Sequence, residues 1–189
     1  MNGARMRAGE SIIEAGRATV ILPAANFLNL DTITTLGAST YTIPGSGQVE
    51  LEITVFGAGG GGSCSIVGSG ITPWIAGPPG GNGGKATTFI ALPAGSVLSL
   101  FVGTGGSGGV FLGPNYFGAS GMKSEVEHSG IIIAQANGGG GGTNNAGAPG
   151  YGLGDHIFRG DGAVGGAGGP ATGGTDGSAG QHGWIEIRY

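Results

Sequence analysis

Residues 49–55 alternate: Val49, Leu51, Ile53 and Val55 are apolar, Glu50, Glu52 and Thr54 polar. A period of two is that of a strand with one buried face. The alternation then empties into a side-chain-poor run, residues 57–62, Gly-Ala-Gly-Gly-Gly-Gly. The same change recurs. Glycine-rich residues 77–84 precede an apolar strand at 86–92, and the strand at 97–102 runs into glycines at 103–109. A strand at 131–136 meets Gly138–Gly142, and a glycine region at 165–183 leads into the alternating strand 184–189. Residues 97–102 are almost continuously apolar and are expected to be buried on both faces. Residues 41–44, the Gly-Ser-Gly turn at 45–47 and residues 48–56 read as a hairpin, with which the last strand is expected to pair. Lys123 to His128 reads as a charged island between elements.

Residues 1–40 differ from the rest, with little glycine and with charges of both signs. Residues 18–22 read as a strand stopped by Pro23, and residues 28–36 as a second extended stretch favoured by threonines. Ser11 and Glu14 have capping-box spacing, but Gly9 and Gly16 leave little room for a helix. The chain reads as an N-terminal attachment segment, 1–40, and a glycine-rich β domain, 41–189; the alternative reading makes residues 1–40 one more strand layer of the same domain.

Glycine supplies 48 of 189 residues and proline 9, a share that borders on low complexity. Disorder does not fit, since 39% of the chain is hydrophobic and only 10% charged. A strict Gly-X-Y period is absent, which excludes collagen. Ordering so much glycine is entropically costly, and glycine has no side chain to bury in return. Backbone hydrogen bonds between closely packed segments remain as the offsetting term. An extended threefold conformation, the polyglycine counterpart of polyproline II, suits this because its N–H and C=O groups all point outward. The fold class expected is all-β: a glycine-rich, β-sandwich-like domain with packed polyglycine-II-type segments. Gly140→Val is expected to abolish folding for want of room.

The net charge of −4 with only 7 basic residues leaves no basic stripe, so no nucleic acid is expected as a partner. The N-terminal arginines are not followed by a continuous apolar stretch, so no secretory signal is read. One cysteine, Cys64, allows neither an internal disulfide nor a cysteine-based metal site. Residues 57–62 match G-x-G-x-x-G, but no helical period follows and the next acidic residue is Glu125. Gly84-Lys85 fails as a phosphate loop. Arg159-Gly160-Asp161 spells an integrin-binding tripeptide and reads as coincidence in a loop. The three histidines have no ligand spacing. No catalytic residues, cofactor or metal are expected, and the chain is not read as an enzyme.

The aromatic residues carry more information. Trp74, Tyr116, Phe117, Tyr151 and Phe158 fall between glycine segments, with His156 beside them. Aromatic side chains dominate binding hot spots and stack on sugar rings. The competing reading is that they fold back to roof the glycine layer.

Residues 42–44, 49–55 and 57–62, then 80–84, 86–92, 93–95 and 98–106, and the closing 183–189, follow an order that resembles the glycine-rich domains of bacteriophage tail fibres and related virion proteins. The resemblance covers about residues 44–189. It implies a virion structural protein, a tail-fibre or spike component that grips a bacterial surface receptor, glycan or outer-membrane protein, through loops 63–76, 110–118 and 143–160. Trp74, Tyr116, Phe117, Tyr151, His156 and Phe158 are then the receptor-binding candidates. It also implies attachment to other virion tail proteins through residues 1–40, and presence in many copies or as a homo-oligomer. The alternative within the same resemblance is a purely structural baseplate, fibre-connecting or head-decoration subunit. The short N-terminal part departs from fibre-tip adhesins of this kind and leaves room for that alternative.

Overall fold

Strands form where apolar and polar residues alternate, as at 49–55 and 184–188, and the buried side chains of these strands face one interior. The computed structural model describes residues 10–15, 18–23, 27–65, 75–111, 116–154, 156–158, 162–164 and 175–189, with backbone alone for 10–15, 18–23 and 156–158. Its strands are β1 (Glu10–Ala15), β2 (Ala18–Pro23), β3 (Leu30–Ile33), β4 (Gly37–Thr42), β5 (Gln48–Phe56), β6 (Lys85–Pro93), β7 (Val97–Val102), β8 (Ser124–His128), β9 (Ile131–Ala136), β10 (Gly152–Leu153), β11 (His156–Phe158) and β12 (Trp184–Arg188). β1 and β2 pair with each other. The rest form two five-stranded antiparallel sheets, ordered β11-β6-β5-β12-β3 and β10-β9-β8-β7-β4. Leu51, Ile53, Val55, Ile185 and Ile187 of the first sheet share one core with Leu98, Leu100, Val102, Val126 and Ala134 of the second.

Several expectations are revised. Residues 41–44 and 48–56 do not form a hairpin: β4 pairs with β7 and β5 with β6, so Gly45 and Gly47, both at positive φ, carry the chain from one sheet to the other. Residues 97–102 are buried on one face only, with Val97 and Ser99 exposed. The charged island is a strand, β8, whose Ser124 and Val126 face inward and whose Glu125 and Glu127 face out. Short strands of mixed composition carry too few apolar positions to show their period. The stretch 28–36 is broken, and β3 and β4 lie in different sheets. Residues 30–40 thus belong to the sandwich, and Ser11–Glu14 lies in a strand, not a helix. The last strand does pair with β5, and with β3 on its other side. Tyr41 ties the two sheet edges together, its hydroxyl donating to Asp31 Oδ2 at 2.7 Å.

From one end of this sandwich the backbone continues without side-chain bulk. Residues 57–65 extend β5, 103–109 extend β7 and 137–142 extend β9, while 77–84, 116–123 and 175–183 lead into β6, β8 and β12. Residues 57–65 lie at the centre, and their nine successive N–H groups visit three neighbours in rotation. Those of Gly57, Gly60 and Ser63 donate to the carbonyls of Gly84, Gly81 and Pro78. Those of Ala58, Gly61 and Cys64 donate to Met122, Ala119 and Tyr116, and those of Gly59, Gly62 and Ser65 to Gln181, Ser178 and Thr175. A repeat of three is the signature of polyproline-II-type backbone. Carbonyls of the same segment accept from three others: Ala58 and Gly61 from Gly139 and Gly142, Gly59 and Gly62 from Gly106 and Gly109, and Gly57 from Ala163.

The six surrounding segments also bond to one another and close a ring. Gly81 donates to Gly140, Gly121 to Gly139, Ala119 to Ser107, Gly180 to Gly106, Gln181 to Val164 and Gly83 to Ala163. The result is a hexagonal arrangement of one enclosed backbone within six. Where an N–H has no seventh chain to meet, a side chain supplies the acceptor: Gly105 donates to His182 Nδ1 at 2.9 Å and Phe111 to Asp176 Oδ1 at 2.7 Å.

The glycine pattern follows enclosure. Residues 175–183 cover only one third of their circumference and read Gly177, Gly180, Gly183, with exposed residues between. Residues 103–109, bonded to three segments, place Thr104 and Ser107 at every third position. Residues 138–142, bonded to four segments, are all glycine. Size decides this. The described glycines with left-handed φ are Gly37, Gly45, Gly47, Gly95 and Gly130, none of them in the lattice. A Cβ on Gly60 would strike the Gly140 carbonyl and come within 2.8 Å of the Gly139 oxygen. Gly140 itself proves to be the roomiest of its run, with Ala148 N at 3.0 Å from an added Cβ. It faces the outer segment 147–151, so it is a milder test of close packing than its neighbours.

Gly60→Ala is therefore expected to abolish cooperative unfolding or to cost more than ~3 kcal/mol, an overpacking penalty at a site where only backbone could move. Ser107→Ala, pointing outward one segment away, should change stability by less than ~0.5 kcal/mol in the same denaturant titration. A second expectation concerns Tyr41. Desolvation first, then the Asp31 carboxylate and Tyr189, hold its phenol well above the ordinary value near 10. Because the folded value lies above the unfolded one, the associated stability is complete below pH 10 and declines as pH rises beyond it. Thermal melts should show that alkaline decline, and Tyr41→Phe should flatten it while costing about 1–2 kcal/mol at neutral pH.

Candidate functional site

Polyproline-II-type backbone rises about 3.1 Å per residue, so the lattice from Gly57 to Cys64 stands roughly 22 Å above the sandwich. Its two ends have different chemistry. At the sandwich end the outward residues include a Lys123–Glu125 ion pair of 2.6 Å and the Phe56–Trp184 stack, with Lys85 Nζ 5.4 Å from the Phe56 ring centre. At the far end lie Ser65, Cys64 and Ser63 with their partners Thr175, Tyr116 and Pro78, and the described turn at 143–146 between Gly142, bonded to Gly61, and Gly147, bonded to Pro79.

Tyr116 and Phe117 sit at this far end, 53% and 48% exposed. The Tyr116 carbonyl is fixed by Cys64 N–H, so its backbone is held by the lattice itself. Val110 and Ile75, also exposed, flank the same level of the lattice, next to Gly109 and Gly77. The only carboxylate of the described residues at this end is Asp176, already accepting from Phe111 N–H. The face offers apolar and aromatic surface with backbone polar groups and almost no charge.

Tyr151 lies elsewhere. Its carbonyl accepts from Asn137 N–H, beside Gly84, which places it at the seam between lattice and sandwich. It is 64% exposed there. His156 and Phe158 fall in β11, in register with Thr87 and Lys85, again at the seam. Trp74 and the Arg159–Asp161 tripeptide lie outside the described residues. The six aromatic and histidine candidates therefore do not form one surface: Tyr116 and Phe117 share the far end, and Tyr151, His156 and Phe158 share the seam. Val110 and Ile75 escaped the sequence reading; for Val110, which directly follows Gly109, an apolar residue abutting a glycine run was the available signal, and Ile75 is set off from Gly77 by Ala76.

The G-x-G-x-x-G match at 57–62 is the buried centre of the lattice. Each N–H from 57 to 65 is already bonded to another segment, so none is left to cradle a phosphate. Among the described residues no three or more His, Cys, Asp or Glu side chains come together as a metal site. Cys64 is buried at the lattice centre. Burial pushes its thiol pKa up, its own backbone N–H partly offsets this, and the Asp176 charge adds to the rise.

A two-sheet sandwich continued by a bundle of hydrogen-bonded glycine segments defines an all-β, glycine-rich domain. The chain belongs to the glycine-rich domain family, whose model matches residues 33–189 and so takes in the described lattice and both sheets apart from most of the edge strand β3. No curated protein matches the chain.

Cys64 supplies a probe of this end. A buried thiol with a raised pKa is inert to disulfide reagents, so a thiol-reactive chromophore should label it only through opening of the lattice. The labelling rate should rise with denaturant in step with unfolding; fast labelling of the native protein would mean that the far end opens independently.

Proposed function

We propose that the protein is a bacteriophage virion component of the tail-fibre or spike type, which holds a bacterial surface receptor with the loops at the far end of its glycine lattice. The observation that carries this reading is the polarity of the domain. The described chain enters the sandwich at its base, where Leu28 and Asn29 N–H groups donate to the Tyr189 carbonyl, while the turns with exposed Tyr116, Phe117, Val110 and Ile75 lie at the opposite end. A base for attachment and a face for contact are what an adhesive tip requires. The sequence order shared with phage fibre domains supports the same reading, as does a scaffold whose loops can vary without entering its core.

The near absence of charge at the far end favours recognition through aromatic stacking, apolar contact and hydrogen bonds over ion pairing. Individual contacts can be weak where many copies act together on one particle. Attachment to the rest of the virion falls to the N-terminal residues.

Tyr116→Ala combined with Phe117→Ala should lower adsorption of assembled particles to host cells at least tenfold, with particle yield and domain stability unchanged. Adsorption should vary little with salt. Normal adsorption together with defective assembly would favour the purely structural subunit.

A further inference from the structure

We infer that β2 is a self-pairing edge, through which two copies of this chain join their N-terminal hairpins into one four-stranded antiparallel sheet. β1 and β2 make a two-stranded sheet that belongs to neither sheet of the sandwich. Such a hairpin is at best marginally stable in water, and three or more strands are needed for independent stability. Its register lines up Ser11 with Leu22, Ile13 with Val20 and Ala15 with Ala18, a row in which Ser11 alone is polar. A second hairpin beside it would double that row.

The register also says which edge is suited to the task. Ala15 and Ala18 close the hairpin around residues 16 and 17, and the closing pair of such a turn exchanges hydrogen bonds. By alternation Ser11, Ile13, Val20 and Leu22 aim their backbone groups inside the hairpin. The outward backbone groups are those of Glu10, Ile12 and Glu14 on β1, and of Thr19, Ile21 and Pro23 on β2, Pro23 offering a carbonyl only, so that Thr19 and Ile21 are the outward donors of β2. Two β1 edges meeting antiparallel at fullest overlap would set Glu10 of each copy opposite Glu14 of the other, and like charges directly opposed are destabilising. β2 carries no charged residue. Two β2 edges meet without repulsion, in the isologous two-fold arrangement commonest among oligomers. The inference is independent of what the far end binds.

The test is light-scattering mass across a wide concentration range, on the full chain and two proline variants. Ile21→Pro removes an outward donor of β2 and Ile12→Pro the matching donor of β1, neither bond belonging to the hairpin's own ladder. The wild type should be a dimer. Ile21→Pro should raise the dimer dissociation constant at least about tenfold, because symmetry removes two donors at once. Ile12→Pro should leave it unchanged, and melting of the glycine domain should be the same in all three. A monomeric wild type overturns the inference. So does a dimer sensitive to Ile12→Pro instead, a larger ring sensitive to both, or a dimer indifferent to both.

Discussion

The structure depends on hydrogen bonds between backbones that approach closer than any side chain would allow. In a common domain, apolar side chains set the distance between elements and the backbone bonds follow. In residues 57–65 the order is reversed: nine consecutive N–H groups bond to three neighbours, five of the nine residues are glycine, and the side chains of the rest are no larger than those of Ala58, Ser63, Cys64 and Ser65. A typical intramolecular hydrogen bond adds about 1 kcal/mol net, and fixing a residue's backbone costs about 1–2 kcal/mol. On those terms a single glycine segment could not order itself. Only a segment bonded on several sides recovers its cost, which makes enclosure a requirement and explains the closed ring of six around one.

The sandwich solves the nucleation problem that this raises. Strands in a sheet lie about 4.8 Å apart, so β5, β6 and β12 deliver residues 57, 84 and 183 side by side and already in direction. The apolar core of Leu51, Ile53, Val55, Leu98, Leu100, Ile185 and Ile187 fixes strand order where side chains can do so. The glycine segments inherit that order. Side chains return at the margins, where His182 and Asp176 accept from N–H groups that no further backbone reaches.

Much of this was legible before any coordinates, because glycine spacing is a direct record of enclosure. Gly177, Gly180 and Gly183 at intervals of three mark a segment with one covered third, and the unbroken Gly138–Gly142 marks a surrounded one. The strands with clean alternation, β5 and β12, were equally plain. What the sequence concealed was topology. Nothing in Tyr41 to Val49 distinguishes a hairpin from a crossing between sheets, since both need glycine at positive φ. Residues 124–128 carry three charged or titratable side chains in five, and their inward pair, Ser124 and Val126, is too small to announce a strand. The candidate site was half legible for a similar reason. Aromatic residues outside strands were visible, but which end of the lattice each occupied depends on pairing: Tyr116 is held by Cys64 and Tyr151 by Asn137, seven or so backbone steps apart on the central segment.

That separation bears on how such a scaffold can change. At the far end the described feet of the segments are held by backbone bonds, as Tyr116 is to Cys64, joined by short polar side chains, as Ser65 Oγ meets Thr175 and Asp176 accepts from Phe111 N–H. Surface loops borne on such a frame tolerate substitution better than the elements they connect. The seam is different. Phe56 and Trp184 stack at 4.0 Å, and Thr54 and Thr87 share a buried hydroxyl bond of 3.0 Å, so side chains there take part in the fold. Under the proposed function, a binding surface free to vary would belong at the far end, around Tyr116 and Phe117. A surface built on Tyr151 and β11 would be tied to residues that the sandwich itself requires.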